Sequence, residues 1–227
     1  MKTKIIIAAT LSLILTTVAC SDTSSPLEAP TNGNGLTSET LENSIINTPA
    51  EDLSDAEKTG LLHMREEEKL ARDVYLYFYD KYGMRIFSNI ARAESKHMSA
   101  IKTLLDKYEL EDPVVDDSRG VFQNQDLAKL YTDLTAAGDI SLLEALKVGA
   151  TIEDLDIKDL MDYEKEVDNE DIILVYENLT KGSRNHMRAF YPQIVSLGGT
   201  YEAQFISQEL FDQIINSDRE TGVTSVR

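Results

Sequence analysis

"ARAESKHMSA", residues 91–100, places Glu94 three positions before His97 in the middle of a segment with helical periodicity. Phe87, Ile90, Ile101 and Leu104 continue the same stripe at alternating spacings of three and four, so Glu94 and His97 stand on the face that should be buried. The whole chain has only three histidines. Setting one of them beside a carboxylate on an apolar face requires a reason, because an uncompensated buried charge costs on the order of several kcal/mol.

Working outward, three more segments repeat the pattern. "SDAE" at Ser54 to Glu57 reads as a capping box opening a helix over about 54–82. Its stripe runs Leu61, Met64, Glu68, Ala71, Tyr75 and Phe78, and Tyr82-Gly83 ends it. The segment around Glu94 gives a second helix over about 84–108. A third, opened by Ser141 over 141–166, carries Leu142, Ala145, Gly149, Glu153, Asp156 and Leu160. A fourth, capped by Asp168 or Asn169 and running to 197, carries Ile172, Val175, Leu179, Ser183, His186 and Phe190. Short links join helices one to two and three to four. The long connection over 109–140 holds one short helix, "NQDLAKLYTDLTAAG" at 124–138, and "AQFISQELFDQIIN" at 203–216 is a last amphipathic segment expected on the outside. No strand-like alternation of useful length competes. The expected fold is all-α: a ferritin-like four-helix bundle with one long crossover between helices 2 and 3, plus a short C-terminal helix.

In an up-and-down bundle the midpoints of the helices meet at one height. Glu68, Glu94, His97, Glu153 and His186 all lie near those midpoints, and a cation is the economical compensation for burying them together. Carboxylate and imidazole suit iron, manganese or zinc. Asp156, one turn from Glu153, could add a further donor. Each residue also has a plainer reading. His186 could be a hydrogen-bonded core histidine and Tyr75 ordinary packing. Glu66 and Glu67 read as solvated charges and His63, off the stripe, as ordinary surface. Arg184 and Arg188 read as ion pairs at the edge of the bundle or as partners of the carboxylates.

With these motifs in place, the sequence resembles the ferritin-like di-metal carboxylate superfamily, whose pattern is one Glu on each of two helices and Glu-x-x-His on the other two. Glu68 and Glu153 match the single glutamates, "AESKH" matches the second-helix motif, and Tyr75 follows Glu68 by seven residues as a tyrosine often does there. The fourth helix departs: His186 is present, but Ser183 stands where the second bridging Glu belongs. More narrowly, "REEEKLARDVY" (65–75), "ALKVGATIEDLDIKDL" (145–160) and "YENLTKGSRNHMRAF" (176–190) resemble domain-of-unknown-function family 2202. This resemblance covers about residues 55–197. That branch lends no activity of its own; the superfamily resemblance implies a bridging Glu94, a terminal His97 and two metal ions, iron or manganese foremost with zinc open. It further implies an oxidase or peroxidase acting on Fe(II), oxygen or peroxide. A non-catalytic metal-binding or purely structural bundle stands as the alternative, and the Ser183 departure leaves one metal or two unequal metals open.

The chain's ends set its setting. "MKTKIIIAATLSLILTTVAC" has two lysines, an apolar run and a small-residue approach to Cys20, which reads as a secretory signal over 1–19. "TTVAC" resembles a bacterial lipoprotein cleavage box, with Thr17 where Leu is commoner, and implies lipidation of Cys20. Ser21 after it favours the outer membrane over the inner, facing the periplasm or the cell surface. Residues 20–50 are rich in Ser, Thr, Pro, Asn and Gly and read as a tether, leaving 51–218 as the bundle domain. The lone cysteine excludes disulfides within the chain and cysteine-based metal or catalytic sites. A net charge of −18 disfavours nucleic acid, and the membrane is expected to be met through the lipid anchor only. No phosphate loop or G-x-S-x-G elbow is present. A homodimer is left open.

Overall fold

The computed structural model describes residues 38–222. The expected signal segment, Cys20 and most of the expected tether therefore lie outside the described residues. Among the described residues there are seven α-helices and one 3-10 turn, and no strand. The helices are α1 (Ser38–Asn47), α2 (Asp55–Tyr82), α3 (Arg85–Lys107), α4 (Gln125–Gly138), α5 (Leu142–Tyr163), α6 (Glu170–Ser196) and α7 (Gln208–Ile215). None of them is long and apolar enough to cross a membrane.

The four long helices fall within a residue or two of the bounds expected from periodicity and caps, except that α5 gives way to the 3-10 turn at Glu164. Ser54 caps α2 through a full capping box with Glu57, satisfying N–H groups that the first turn leaves without partners. Gly83 closes α2 in the left-handed region at φ 64°, where a side chain would be strained. Only Gly83 and Met84 separate α2 from α3, so α3 runs back along α2, and α6 likewise returns along α5 after a short turn. The two pairs meet through α2 against α5 and α3 against α6.

The apolar core comes in two pieces. One contains Val74, Tyr75, Phe78, Phe87, Ile90 and Phe190; the other contains Leu61, Met64, Ile101, Leu104, Val175 and Leu179. Along α2, α3 and α6 the residues between the two pieces are Glu68, Glu94 with His97, and Ser183 with His186. The bundle is thus divided across its middle by a polar layer.

The crossover from α3 to α5 carries α4 and is held by charged side chains of α2. Arg65 donates to Asp112 at 3.0 and 2.9 Å. Fully buried Lys69 reaches Asp73 at 2.6 Å and the carbonyl of Ser118 at 2.9 Å. Glu66 accepts the backbone N–H groups of Gln123 and Asn124 at 2.5 and 3.0 Å, just before α4. Glu66 is therefore not a solvated charge but the anion that anchors the start of α4.

Two further differences from expectation have physical causes. Residues 38–47, inside the segment expected as a tether, form α1, which buries Ile45 against the second core piece. At the other end only 208–215 of the expected amphipathic segment is helical. Residues 203–206 form a loop gathered by buried Asp154, which accepts from the N–H groups of Gln204 and Ile206 at 2.5 and 2.8 Å and from the Tyr201 hydroxyl at 2.8 Å. Phe211 and Ile214 of α7 are buried, as its amphipathic pattern requires.

Candidate metal centre

Glu94 sits at the middle of the polar layer. One of its carboxylate oxygens lies 2.7 Å from Nδ1 of His97 on its own helix, and the other lies 2.9 Å from Nδ1 of His186 on α6. Each imidazole has a second carboxylate. Glu68 of α2 approaches His97 Nδ1 at 3.1 Å, and Glu153 of α5 approaches His186 Nδ1 at 3.3 Å. The result is two triads, Glu68–Glu94–His97 and Glu94–Glu153–His186, each with ligand atoms within 4.8 Å of one another and with Glu94 common to both. The two rings stack at 5.7 Å between centroids.

The local sequence explains the arrangement. Glu94 and His97 are three apart and share a helix face. Gly182 on α6 faces the His97 ring so closely that a Cβ there would lie 2.6 Å from ring atoms Cε1 and Nε2. The missing side chain makes room for the imidazole. Around the glutamates, Tyr75 donates from its hydroxyl to Glu153 at 2.6 Å and so fixes that carboxylate's rotamer. The Ser183 hydroxyl lies within hydrogen-bond reach of both Asp156 and the carbonyl of Leu179, and its single proton serves one of them at a time.

Charge is the central feature of the layer. Glu68, Glu94, Glu153 and Asp156 are all buried. Burial pushes the Glu68 carboxyl up to about 7, with the nearby His97 opposing and Glu94 reinforcing the shift. Burial also raises Glu153, and it raises Asp156 well above its ordinary range together with the charges of Glu68, Glu67 and Glu153. For Glu94 burial acts upward too, but the two imidazoles outweigh it and hold the carboxyl well below the ordinary range. Burial opposes protonation of the imidazoles, yet their carboxylates prevail: His186 is pushed up to about 10 and His97 lies well above 6.5. With no cation bound, the layer thus holds protons that water would have removed.

Several acceptors remain unsatisfied. Glu68 Oε1, Glu94 Oε1 and Asp156 Oδ1 are buried and accept no well-formed hydrogen bond; the Glu94 oxygen has His186 Nδ1 within reach but poorly aligned. Buried oxygens without partners are rare in folded proteins and ask for an ion or water. Three carboxylates and two imidazoles converge here, Glu68 and Glu94 each with an oxygen that accepts no well-formed hydrogen bond, and once the imidazoles give up their protons this is the donor set of a transition-metal pair.

All of the site residues expected from the stripe are brought together. Asp156 lies in the layer, but its near partner is Ser183 and not either imidazole. Arg184 and Arg188 pair with Glu220 and touch no carboxylate of the layer. Sequence reasoning misplaced Glu67 and His63. Glu67 is buried, and together with Asp159 the two form a third cluster. Their i, i+4 spacing on α2 was the available signal.

The His97 and His186 side chains keep 13 % and 12 % of their surface exposed. Both line a cleft of about 1090 Å³ between α3 and α6, with Lys96, Lys181 and Asn185 among its walls. The layer is therefore reached from one side of the bundle, past the imidazoles.

A family profile described as "Uncharacterized protein domain (DUF2202)" matches residues 57–218. "Uncharacterized protein MJ0754" of Methanocaldococcus jannaschii is 54 % identical over 179 residues, which is 79 % of this chain and 97 % of that protein. The crystal structure of hypothetical protein MJ0754 from Methanococcus jannaschii aligns with a TM-score of 0.76 at 55 % identity, covering 77 % of this chain and 99 % of that one.

Proposed function

The chain belongs to the DUF2202 family, and from the polar layer of its bundle we propose that it is a ferritin-like metalloprotein holding two metal ions, iron or manganese, and acting as an oxidase or peroxidase on Fe(II), oxygen or peroxide. The observation that carries this reading is the position of Glu94, with one oxygen to each of two imidazoles and a further carboxylate behind each imidazole. Glu94 would bridge, His97 with Glu68 would hold one ion, and His186 with Glu153 the other. Ions held there would supply the electrons that reduce oxygen or peroxide. The chain's own residues do the rest. Glu68 and Glu153 balance charge, Tyr75 fixes Glu153, and the cleft past the histidines admits a small oxidant while the two apolar core pieces keep bulk water from the remaining sides.

Ser183 favours unequal ions. A second bridging carboxylate is replaced by a neutral hydroxyl engaged with Asp156, so the pair carries less negative charge than the superfamily pattern provides. This same feature favours a second reading, a non-catalytic site holding a single ion such as zinc. We further propose that the domain is lipid-anchored through Cys20 in the cell envelope.

The test is turnover. Protein loaded with Fe(II) under anaerobic conditions should oxidise it on addition of peroxide or oxygen, and Glu94→Ala and His97→Ala should lose that activity. Tight metal binding without oxidation in the wild type would favour the zinc reading.

A further inference from the structure

A third cluster lies on the α2–α5 side, apart from the layer. His63 and Glu67 are four apart on α2, and Asp159 faces them from α5. Nε2 of His63 is 3.7 Å from an oxygen of Glu67 and 3.7 Å from an oxygen of Asp159, and all three ligand atoms lie within 4.8 Å of one another. At 3.7 Å these are not hydrogen bonds. Donors held about 2.1 Å from a cation stand roughly 3.0–3.5 Å apart, so only a small side-chain adjustment separates this geometry from ligation.

An acidic cluster alone would not suffice, but Glu67 adds a second observation. Its side chain is 3 % exposed, and neither of its carboxylate oxygens accepts a hydrogen bond. A carboxylate withdrawn from water with neither oxygen partnered, one of them 3.7 Å from an imidazole, lacks the compensation that buried polar groups normally have. His63 and Asp159 are 25 % and 30 % exposed, so the cluster is open to solvent on one side. Tyr163 stands against the imidazole at 5.8 Å between ring centroids and orients it.

We propose that His63, Glu67 and Asp159 form a third divalent-cation site, with three protein donors and its remaining positions facing solvent. It takes the same class of ion as the buried layer, a borderline transition cation, but holds it more weakly because solvent reaches it. The site shares no residue with either buried triad, so its binding is separable from theirs. It sits at the outer end of a line of carboxylates: Asp156 is one turn before Asp159 on α5, and Glu68 follows Glu67 on α2.

The three histidines make the test direct, since each belongs to a different cluster. In histidine-selectively 15N-labelled protein, the ring resonances report each cluster separately during titration with Zn2+ alone. All three are expected to shift, His63 at higher zinc than the other two. Asp159→Asn, at a partly exposed position, and the isosteric Glu67→Gln should each weaken the His63 response by roughly tenfold or more while His97 and His186 respond as before. The proposal is overturned if His63 stays unshifted at zinc concentrations that saturate the other two, or if neither variant alters its response. A shift of His63 with no shift of His97 and His186 would uphold this site and count against the buried pair.

Discussion

Glu94 shows how one side chain can decide a site. A carboxylate beside one imidazole would be an ordinary buried ion pair; one that spans two imidazoles on different helices ties α3 to α6 at the level where the core is interrupted. The neighbouring run Glu66-Glu67-Glu68 shows how much a single helical step matters. Successive residues turn by about 100°, so Glu66 holds the start of α4, Glu67 faces His63 and Asp159, and Glu68 enters the layer. Stripe spacing in the sequence picked out Glu68 correctly but left its two neighbours as solvated charges. The stripe marks one buried face, whereas α2 is covered on several sides. At this scale Tyr75→Phe should keep the fold and the ions but weaken binding by about tenfold, because Glu153 loses the hydroxyl that orients it. Calorimetric titration with Mn2+ measures this, and unchanged affinity would remove Tyr75 from the site.

At the scale of elements, the caps and periodicities of the four long helices were legible because each is signalled locally, as by the capping box at Ser54 and the left-handed Gly83. Helix α1 was not legible. Its ten residues read as polar and tether-like, and what orders them is burial of Ile45 against the second core piece, a tertiary effect. The short C-terminal helix was expected, but its start at Gln208 was not, because Asp154 draws residues 204–206 into a loop. The packing of α3 on α6 yields a prediction of its own. Gly182→Ala places a Cβ against the His97 ring, which must move. Alanine favours a helix interior over glycine by about 1 kcal/mol. The variant should therefore melt at the same temperature or higher yet bind fewer ions, as read by metal analysis beside a thermal melt. Normal metal content would show that the ring position is not limiting.

For the whole molecule, the layer and the adjacent His63–Glu67–Asp159 cluster make stability depend on pH in an unusual direction. Glu68 and Glu67 bind protons up to about pH 7 and about pH 8 when folded, against 4.5 ordinarily, and His186 does so up to about 10 against 6.5. In each case the folded state holds more protons than the unfolded chain across the window, so stability falls as pH rises through it. Glu94 shifts the opposite way, and its effect lies below 4.5. In the presence of chelator the melting temperature should accordingly decline from pH 5 to pH 8. Saturating metal, which displaces those protons, should reverse the slope. A flat or rising profile in chelator would show that the carboxylates are not held as described.

The convergence of Glu68, Glu94, His97, Glu153 and His186 was legible in the sequence because helix midpoints and stripes are both local quantities. The purpose of that convergence is decided most directly by metal content. Protein purified without chelator and passed through gel filtration should carry about two transition-metal ions per chain, and Glu94→Gln, folded by its helical circular dichroism, should carry almost none. Equal metal content in the two proteins, or none in the wild type after growth with iron and manganese supplied, would contradict a metal pair bridged by Glu94.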